Sequence, residues 1–514
     1  MSKSILEAKG LAKSFDSSML LDEASFKVSY GEKVGLVGLN GCGKSTLMRI
    51  LAGLEESDAG SVSLMPRGGR VGFLPQWPEI KTRTIGEHLG QSFPGPVPPP
   101  GWQAEALIKK ALAETGLSHI PPGLDPSSLS GGERTRLSLA GLLLGEPDFL
   151  LLDEPTNFLD LEGLQWIEEF VKSHCQAMII VSHDRFFLDA VVTRIVELER
   201  GSLNEYGGNY SFYRAAKAAA LERQRADHAM QKHEIERLAE RARQQRQFSN
   251  SVNSETTNDF YRARATRHSK TAKALEKRIA HMEKTDKPWQ ADQVSIRLQG
   301  TATSRVAAKA ENIAKGYGGR PLFHQVNFTI TAGEKVGIVG KNGSGKSTLL
   351  RILLGLERPD EGTAFLQDRE KVGYFSQVFE EMNPGASLLE YMEAQGGLDR
   401  GEARRVLAFF LFRGDDVHKR ISSLSVGEKT RLALACFNGS RKEVLILDEP
   451  TSHLDASTTE ILEDALEPFD GTIIMVTHDR YMLDRIAARI LAIEGGTVNE
   501  YRGNFSYYLE KRSG

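Results

Sequence analysis

The chain has 514 residues, too many for one ordinary hydrophobic core; two domains of about 200 residues joined by a connector fit the usual domain size. With 40% hydrophobic and 26% charged residues, and no apolar run near the roughly 18 residues a membrane helix needs, it reads as a soluble chain. Without a basic-then-apolar leader it is expected in the cytoplasm, with no direct membrane insertion. The net charge of −3 conceals an asymmetry: residues 212–285 carry 17 Lys/Arg against 9 Asp/Glu, leaving −11 for everything else. A basic segment between acidic domains suggests a polyanionic partner for that segment alone. Cys42, Cys175 and Cys436 stand singly, with no C-x-x-C pair, which argues against a zinc site, an iron–sulfur cluster or a disulfide framework.

The first predicted strand, residues 5–15, ends at Phe15, whose counterpart later in the chain is Tyr317. A flat ring there either stacks on an adenine or packs into a core. A buried strand then runs into Gly38-Leu-Asn40-Gly41-Cys-Gly43-Lys44-Ser45-Thr46, a glycine-rich turn and a helix start. Glycines let the backbone wrap round phosphates, the helix N-terminus faces the anion, Lys44 reaches the β- and γ-phosphates, and Ser45 is a ligand for Mg²⁺. Gln76 follows a short strand, and by itself such a glutamine is an ordinary surface group. Residues 93–100 read as a stiff Pro-rich loop before a helix over 103–115. After Leu129-Ser130-Gly131-Gly132-Glu133 comes a helix, then Phe149-Leu-Leu-Leu-Asp153-Glu154, a parallel strand whose end delivers two carboxylates. These suit two tasks, Asp153 holding a Mg²⁺ shell and Glu154 polarising a water. The next apolar strand ends at His183-Asp184-Arg185, where His183 is either a structural residue or a γ-phosphate contact.

The same series returns in the same order. Gly340-Lys-Asn342-Gly343-Ser-Gly345-Lys346-Ser347-Thr348, then Gln377, Ser425-Val426-Gly427, Asp448-Glu449 and His478 repeat it, at offsets that drift only from 302 to 295. One domain has therefore been used twice.

Between the copies, residues 211–247 and 260–284 lack Pro and Gly and are rich in helix formers. Leu221, Ile235 and Ala242 fall at heptad spacing with His228 in the gap and Leu238 beside them. Leu275, Ile279 and Met282 mark a return helix, so an antiparallel coiled-coil hairpin is predicted, with a polar loop at residues 248–259. Arg241, Arg243, Arg246, Arg262, Arg264, Arg267 and Lys270 cluster near that loop, beside Phe260 and Tyr261. This is either a solvated arginine-rich surface or a contact for folded RNA.

Glycine-rich loop, glutamine, LSGGE, acidic strand end with EPTN, and SHD together resemble the ATPase domain of the ATP-binding cassette superfamily, over residues 5–210 and 308–510. The basic connector narrows the resemblance to the ABC-F branch. It implies an α/β fold, with two ABC-type P-loop ATPase domains (1–210 and 291–514) joined by a long antiparallel helical hairpin linker (211–290). It further implies a head-to-tail intramolecular sandwich with ATP between the halves. One site would join Lys44, Asp153 and Glu154 to Ser425 and Gly427; the other would join Lys346, Asp448 and Glu449 to Ser130, Gly131 and Gly132. Ser45, Gln76 and Asp153, and likewise Ser347, Gln377 and Asp448, would hold Mg²⁺, with His183 and His478 at the γ-phosphates and Phe15 and Tyr317 at the bases.

Members of the branch bind the ribosome through rRNA and tRNA; some act on stalled or initiating ribosomes and others protect against antibiotics. A transporter ATPase subunit and a non-ribosomal nucleic-acid remodeller are the alternatives. Val426 in place of glycine, and Phe158 where the second copy has His453, lead us to expect two unequal sites. The ending at Gly514 and the short 76–129 interval lead us to expect neither the C-terminal coiled coil nor the arm insertion of some members.

Overall fold

The computed structural model describes residues 4–15, 18–66, 68–94, 101–255, 259–281, 306–375, 382–396, 398–410, 412, 414–439, 442–452, 454 and 456–513; for 252–255, 259–265 and a few others only the backbone is described. In chain order the first half runs β1 (Ser4–Phe15), β2 (Ser18–Ser29), β3 (Lys33–Val37), α1 (Lys44–Leu51), β4 (Ala59–Leu64), β5 (Val71–Leu74), α2 (Ile85–Gly90), α3 (Gly101–Glu114), α4 (Gly131–Leu144), β6 (Phe149–Asp153), α5 (Leu161–Ser173), β7 (Ala177–Val181), α6 (Arg185–Val191), β8 (Arg194–Glu199) and β9 (Ser202–Gly207). Two sheets result. β2-β1-β4 is antiparallel, and β5-β6-β7-β3-β8-β9 is parallel except for its β8–β9 edge.

Strands β3, β6 and β7 are buried at every residue, because both faces of a central parallel sheet are covered and no polar alternation is tolerated there. Leu36, Phe149, Leu151 and Ile179 share one core with Leu6, Leu21 and Phe26 of the antiparallel sheet. Helices α2, α3 and α4 enclose a separate small core round Leu89, Leu112 and Leu137. The expected first strand and the 103–115 helix are present with ends shifted by one or two residues.

Helix α7 (Tyr210–Glu255) and helix α8 (Asp259–His281) follow. The second half repeats the first: β10 (Val306–Tyr317), β11 (Arg320–Thr331), β12 (Lys335–Gly340), α9 (Lys346–Leu353), β13 (Glu361–Leu366), β14 (Val372–Phe375), α10 (Leu388–Gly396), α11 (Arg400–Phe409), α12 (Val426–Gly439), β15 (Val444–Asp448), α13 (Ala456–Leu466), β16 (Thr472–Val476), α14 (Arg480–Ile486), β17 (Arg489–Glu494), β18 (Thr497–Tyr501) and α15 (Phe505–Ser513). Its sheet orders, β11-β10-β13 and β14-β15-β16-β12-β17-β18, are those of the first half element for element.

The chain divides into two compact units, Met1–Ser211 with Val294–Gly514, and Phe212–Gln293. Within the second unit, α7 and α8 meet side by side. Gln245 bonds His268, Arg246 pairs with Glu276 at 2.8 Å, and the Phe248 ring lies 4.5 Å from His268. Leu238, Ala242, Ser249 and Ala272 are buried between the helices, and Leu221, His228, Ile235, Leu275 and Ile279 are half-buried. Met282 lies outside the described residues, as do the side chains of Phe260, Tyr261, Arg262 and Arg264. One expectation is corrected: residues 248–255 are helical, not loop. Serine and asparagine are weak helix formers, but Phe248 and Ser249 pack on α8, and that packing overrides local propensity.

Candidate functional site

Each parallel sheet ends in a glycine-rich turn that feeds a helix of eight residues. Gly43 (φ 105°) and Gly345 (φ 93°) cap α1 and α9 in the left-handed region, which lets each turn close tightly onto its helix. Lys44 Nζ donates to the carbonyls of Gly38 (2.8 Å) and Leu39 (3.0 Å), and Lys346 Nζ to those of Gly340 (2.9 Å) and Lys341 (3.1 Å). Both ammonium groups are thus held over the concave side of their own loops.

Asp153 and Asp448 end β6 and β15. Ser347 Oγ donates to Asp448 Oδ1 at 3.1 Å, and Ser45 hydrogen-bonds Asp153 in the same way. The next residue in each half, Glu154 (φ 53°) or Glu449 (φ 49°), is a non-glycine in the left-handed region, a strain of order 1–3 kcal/mol. Its amide donates across to Val181 O or Val476 O, 2.8 Å in both cases. That turn swings the carboxylate towards the histidine of the neighbouring strand. His183 Nε2 lies 3.3 Å from Glu154 Oε1 and His478 Nε2 lies 3.5 Å from Glu449 Oε1. Among the described residues, the buried Glu154 Oε1 has no hydrogen-bond partner.

A cavity of about 1220 Å³ joins the halves. Asn40, Gly41, Gly43, Lys44, Ser45, Thr46, Gln76, Asp153, Glu154 and His183 line it from the first half, and Ser425, Glu428 and Arg431 from the second. The same cavity extends to Asn342, Glu449 and His478. On that side the backbone N–H of Asn342 donates to Asp160 Oδ2 (3.2 Å), and its side chain to Phe158 O (3.0 Å). The glycine-rich loop of the first half and the segment that starts at Ser425 in the second therefore face the same cavity.

Ser130 opens α4 through a reciprocal cap, its Oγ accepting from Glu133 N while Glu133 Oε2 accepts from Ser130 N (2.9 Å); Ser425 and Glu428 repeat this at α12. The glutamate of each signature segment is thus a capping residue. A Cβ on Gly131 would fall 2.9 Å from Phe158 Cβ, so this glycine admits the aromatic side chain to the helix start. The Trp77 ring packs against Phe158 at 5.0 Å, tilted by 49°.

Phe15 and Tyr317 do not line this cavity. They are 49% and 51% exposed, which removes core packing as their role; Tyr317 bonds Glu357. Gln377 and His453 lie outside the described residues, and of Val426 and Gly427 only the helical backbone is described.

Sequence reasoning missed the centre of the interface. Arg185 of α6 is 2% exposed and bonds Glu463, 1% exposed, and Asp479 (3.5 Å); Arg480 of α14 bonds Glu168 (2.5 Å) and Asp184 (3.1 Å). Each arginine follows its half's histidine by two residues and crosses to the other half. The signal was the repeat of Asp184-Arg185 as Asp479-Arg480 and of Glu168 as Glu463. Burial works against both guanidinium charges, yet these carboxylates hold them protonated above the ordinary arginine value. At the acidic ends burial dominates, pushing Asp479 up to about 6 and raising Glu168.

An ABC transporter family model matches residues 21–157 and 323–452, and a second, also described as ABC transporter, matches 196–298. ABC transporter F family member 5 of Arabidopsis thaliana is 34% identical, over 98% of this chain and 77% of the relative. The chain belongs to the ABC-F family. Energy-dependent translational throttle protein EttA of Mycobacterium tuberculosis (strain ATCC 25618 / H37Rv) is 33% identical, over 100% of the ABC-F chain and 96% of the relative. Two solved structures share the fold at 20% identity. Archaeal ribosome recycling factor aABCE1, in complex with ribosomal stalk protein aP1, has TM-score 0.64 over 98% and 92% of the two chains; RNase-L Inhibitor has TM-score 0.63 over 99% and 93%.

This ABC-F chain is a tandem ATP-hydrolysing ATPase, and among its described residues no helix is long and apolar enough to cross a membrane. Its cavity fits a nucleotide. The volume suffices, the left-handed Gly41 and Gly43 and the start of α1 face it, and Lys44 lines it. The pair Ser45–Asp153, beside Glu154 with its unbonded Oε1, and the pair Ser347–Asp448, beside Glu449, are hard oxygen donors suited to Mg²⁺ and an ordered water.

The protein holds these charges at a cost to its own stability. Burial, then Glu154, pushes Asp153 from an ordinary 3.8 up to about 6, against the Ser45 hydrogen bond and the Lys44 charge. Desolvation likewise raises Glu449 despite Lys346, and pulls His478 down to about 4, so that imidazole is neutral. Native Asp153 keeps its proton up to about pH 6, whereas the unfolded chain releases it near 3.8. Metal-free stability therefore falls as pH rises through that window, and the penalty is complete above it. Asp153→Asn is expected to stabilise the metal-free protein by ~1–3 kcal/mol at neutral pH and by little once the pH falls below the unfolded-chain value of 3.8. Urea unfolding in EDTA at both pH values measures this; an equal effect at both would exclude titration of Asp153 as the cause.

Proposed function

We propose that this ABC-F ATPase acts on the ribosome, using ATP binding and hydrolysis to drive its arginine-rich helical pair against RNA and so modulate translation. The observation that carries this reading is the pair itself, with Arg241, Arg243, Arg246, Arg267 and Lys270 all exposed round the buried Leu238–Ala242–Ala272 seam. Guanidinium groups bind phosphate and stack on bases, which suits folded RNA. The full-length likeness to a translational throttle protein supports the same partner. Protection of the ribosome from antibiotics belongs to this reading as one outcome of the same contact. In each ATP site Lys44 or Lys346 holds the phosphates. Ser45, Gln76 and Asp153, or Ser347, Gln377 and Asp448, hold Mg²⁺. Glu154 or Glu449 orients the attacking water, with His183 or His478 at the γ-phosphate.

The test is sedimentation with ribosomes through a sucrose cushion, using the Glu154→Gln, Glu449→Gln variant with and without ATP. ATP-dependent pelleting with ribosomes is expected; recovery with membranes instead would favour a transporter subunit. Replacing Arg243, Arg246, Arg262 and Arg264 by Glu is expected to remove ribosome stimulation of ATP hydrolysis and to leave the unstimulated rate within about twofold, since rim charges govern association more than chemistry. Stimulation that survives those four changes would exclude the helical pair as the sensor.

A further inference from the structure

Where α6 and α14 meet, the two halves differ by a hydroxyl. Residue 481, at the first turn of α14, is tyrosine, and its counterpart 186, at the first turn of α6, is phenylalanine. The rings meet edge to face at 5.9 Å and 71°, and Arg185 lies 5.0 Å from the Tyr481 ring. The Tyr481 hydroxyl donates to Asp189 Oδ2 at 2.5 Å and lies 3.2 Å from Ser211 Oγ. Asp189 in turn accepts from Ser211 N at 2.7 Å and from Ser211 Oγ. Ser211 is the second residue of α7, the 46-residue helix. A residue of the second cassette therefore joins the hydrogen bonds that fix the start of a helix emerging from the first.

The pseudo-symmetric position has no such bond. Ser506 N donates to Asp484 Oδ1 at 2.8 Å, repeating Ser211 and Asp189, but Phe186 has no hydroxyl to offer them. There the helix is α15. The cross-half hydroxyl thus occurs at the root of α7 and not at that of α15. Tyr481 also stands two residues after Asp479, which lines the nucleotide cavity beside His478 and caps α14 by accepting from Met482 N at 3.0 Å.

We infer that Tyr481 is a positioning residue. Its hydroxyl latches the root of α7 to the second cassette when the two are apposed, and so carries the nucleotide state of the Lys346 site to the start of the helical pair. Only Asp479 and Arg480 separate His478 from Tyr481, and the α14 cap makes them one rigid step. The hydroxyl touches no nucleotide. The latch works without a ribosome, so it stands or falls apart from the proposed cellular role.

Hydrogen exchange by mass spectrometry tests it on the full chain carrying Glu154→Gln and Glu449→Gln. ATP is expected to slow exchange in the first turns of α7 by roughly fivefold, the equivalent of one net hydrogen bond. Tyr481→Phe keeps the ring and its arginine contact. It should cut that slowing below about twofold, with the nucleotide-free rate unchanged and ATP protection at residues 444–452 retained. Asp189→Asn, which weakens the three bonds to the carboxylate, should give the same loss of ATP-dependent slowing. Equal ATP protection of α7 in Tyr481→Phe, or faster exchange with and without ATP alike, would overturn the latch; the second result would mark Tyr481 as packing only.

Discussion

Replacing Glu154 and Glu449 together by glutamine is expected to lower ATP hydrolysis at least a hundredfold while nucleotide affinity changes only a few-fold. A positioned general base contributes typically 10²–10⁴-fold to rate, and an amide of the same shape cannot take the proton. The positions are matched. Each follows a buried strand end, each has its backbone in the left-handed region, and each carboxylate lies 3.3 or 3.5 Å from a histidine imidazole. Glutamine keeps the side-chain length, so the phosphate-facing loops at Lys44 and Lys346 should bind ATP as before. Phosphate release and equilibrium nucleotide binding measure the two quantities. Hydrolysis within tenfold of the parent would mean that another group activates the water.

Arg185→Met should destabilise the apposed halves by up to about 3–5 kcal/mol, because it takes the buried cation away from Asp479 and leaves Glu463 only Arg485 at 3.3 Å. Glu463 is 1% exposed and Asp479 half-buried, so neither can recover full hydration in place. Restoring neutrality with Glu463→Gln on the same chain should recover more than half of the loss, since the stranded charge is the larger part of it. Lys341→Ala is the contrast. Its partner Glu162 is 2.8 Å away, but both side chains are well exposed, and such pairs contribute about 0–1 kcal/mol. Chemical denaturation of the three variants beside the parent orders them. A loss at Arg185→Met no larger than at Lys341→Ala would show that the central cluster is solvated in solution.

These predictions differ in what made them visible. Glu154 and Glu449 were legible in the sequence because an apolar run ending in two acids can only be a buried parallel strand that delivers charge at its end. The glycine-rich loops were legible for a similar reason, since few other sequences close a turn that tightly before a helix. Arg185 and Arg480 were printed twice in the same order, yet nothing local distinguishes a buried crossing arginine from a solvated one. The loop expected at 248–259 failed over 248–255 in the opposite direction: local composition disfavoured helix there, and contact with α8 overrode it.

The sequence by itself determined the doubled α/β fold, the nucleotide chemistry and the basic connector, because each is written in short-range patterns: period, turn chemistry and charge along the chain. Only the tertiary structure decided how the two halves share their charges and hydroxyls. The pairings Arg185–Glu463, Asn342–Asp160 and Tyr481–Asp189 join residues between about 180 and 290 positions apart. At such separations the free energy of a contact depends on burial and geometry, which exist only once the chain has folded.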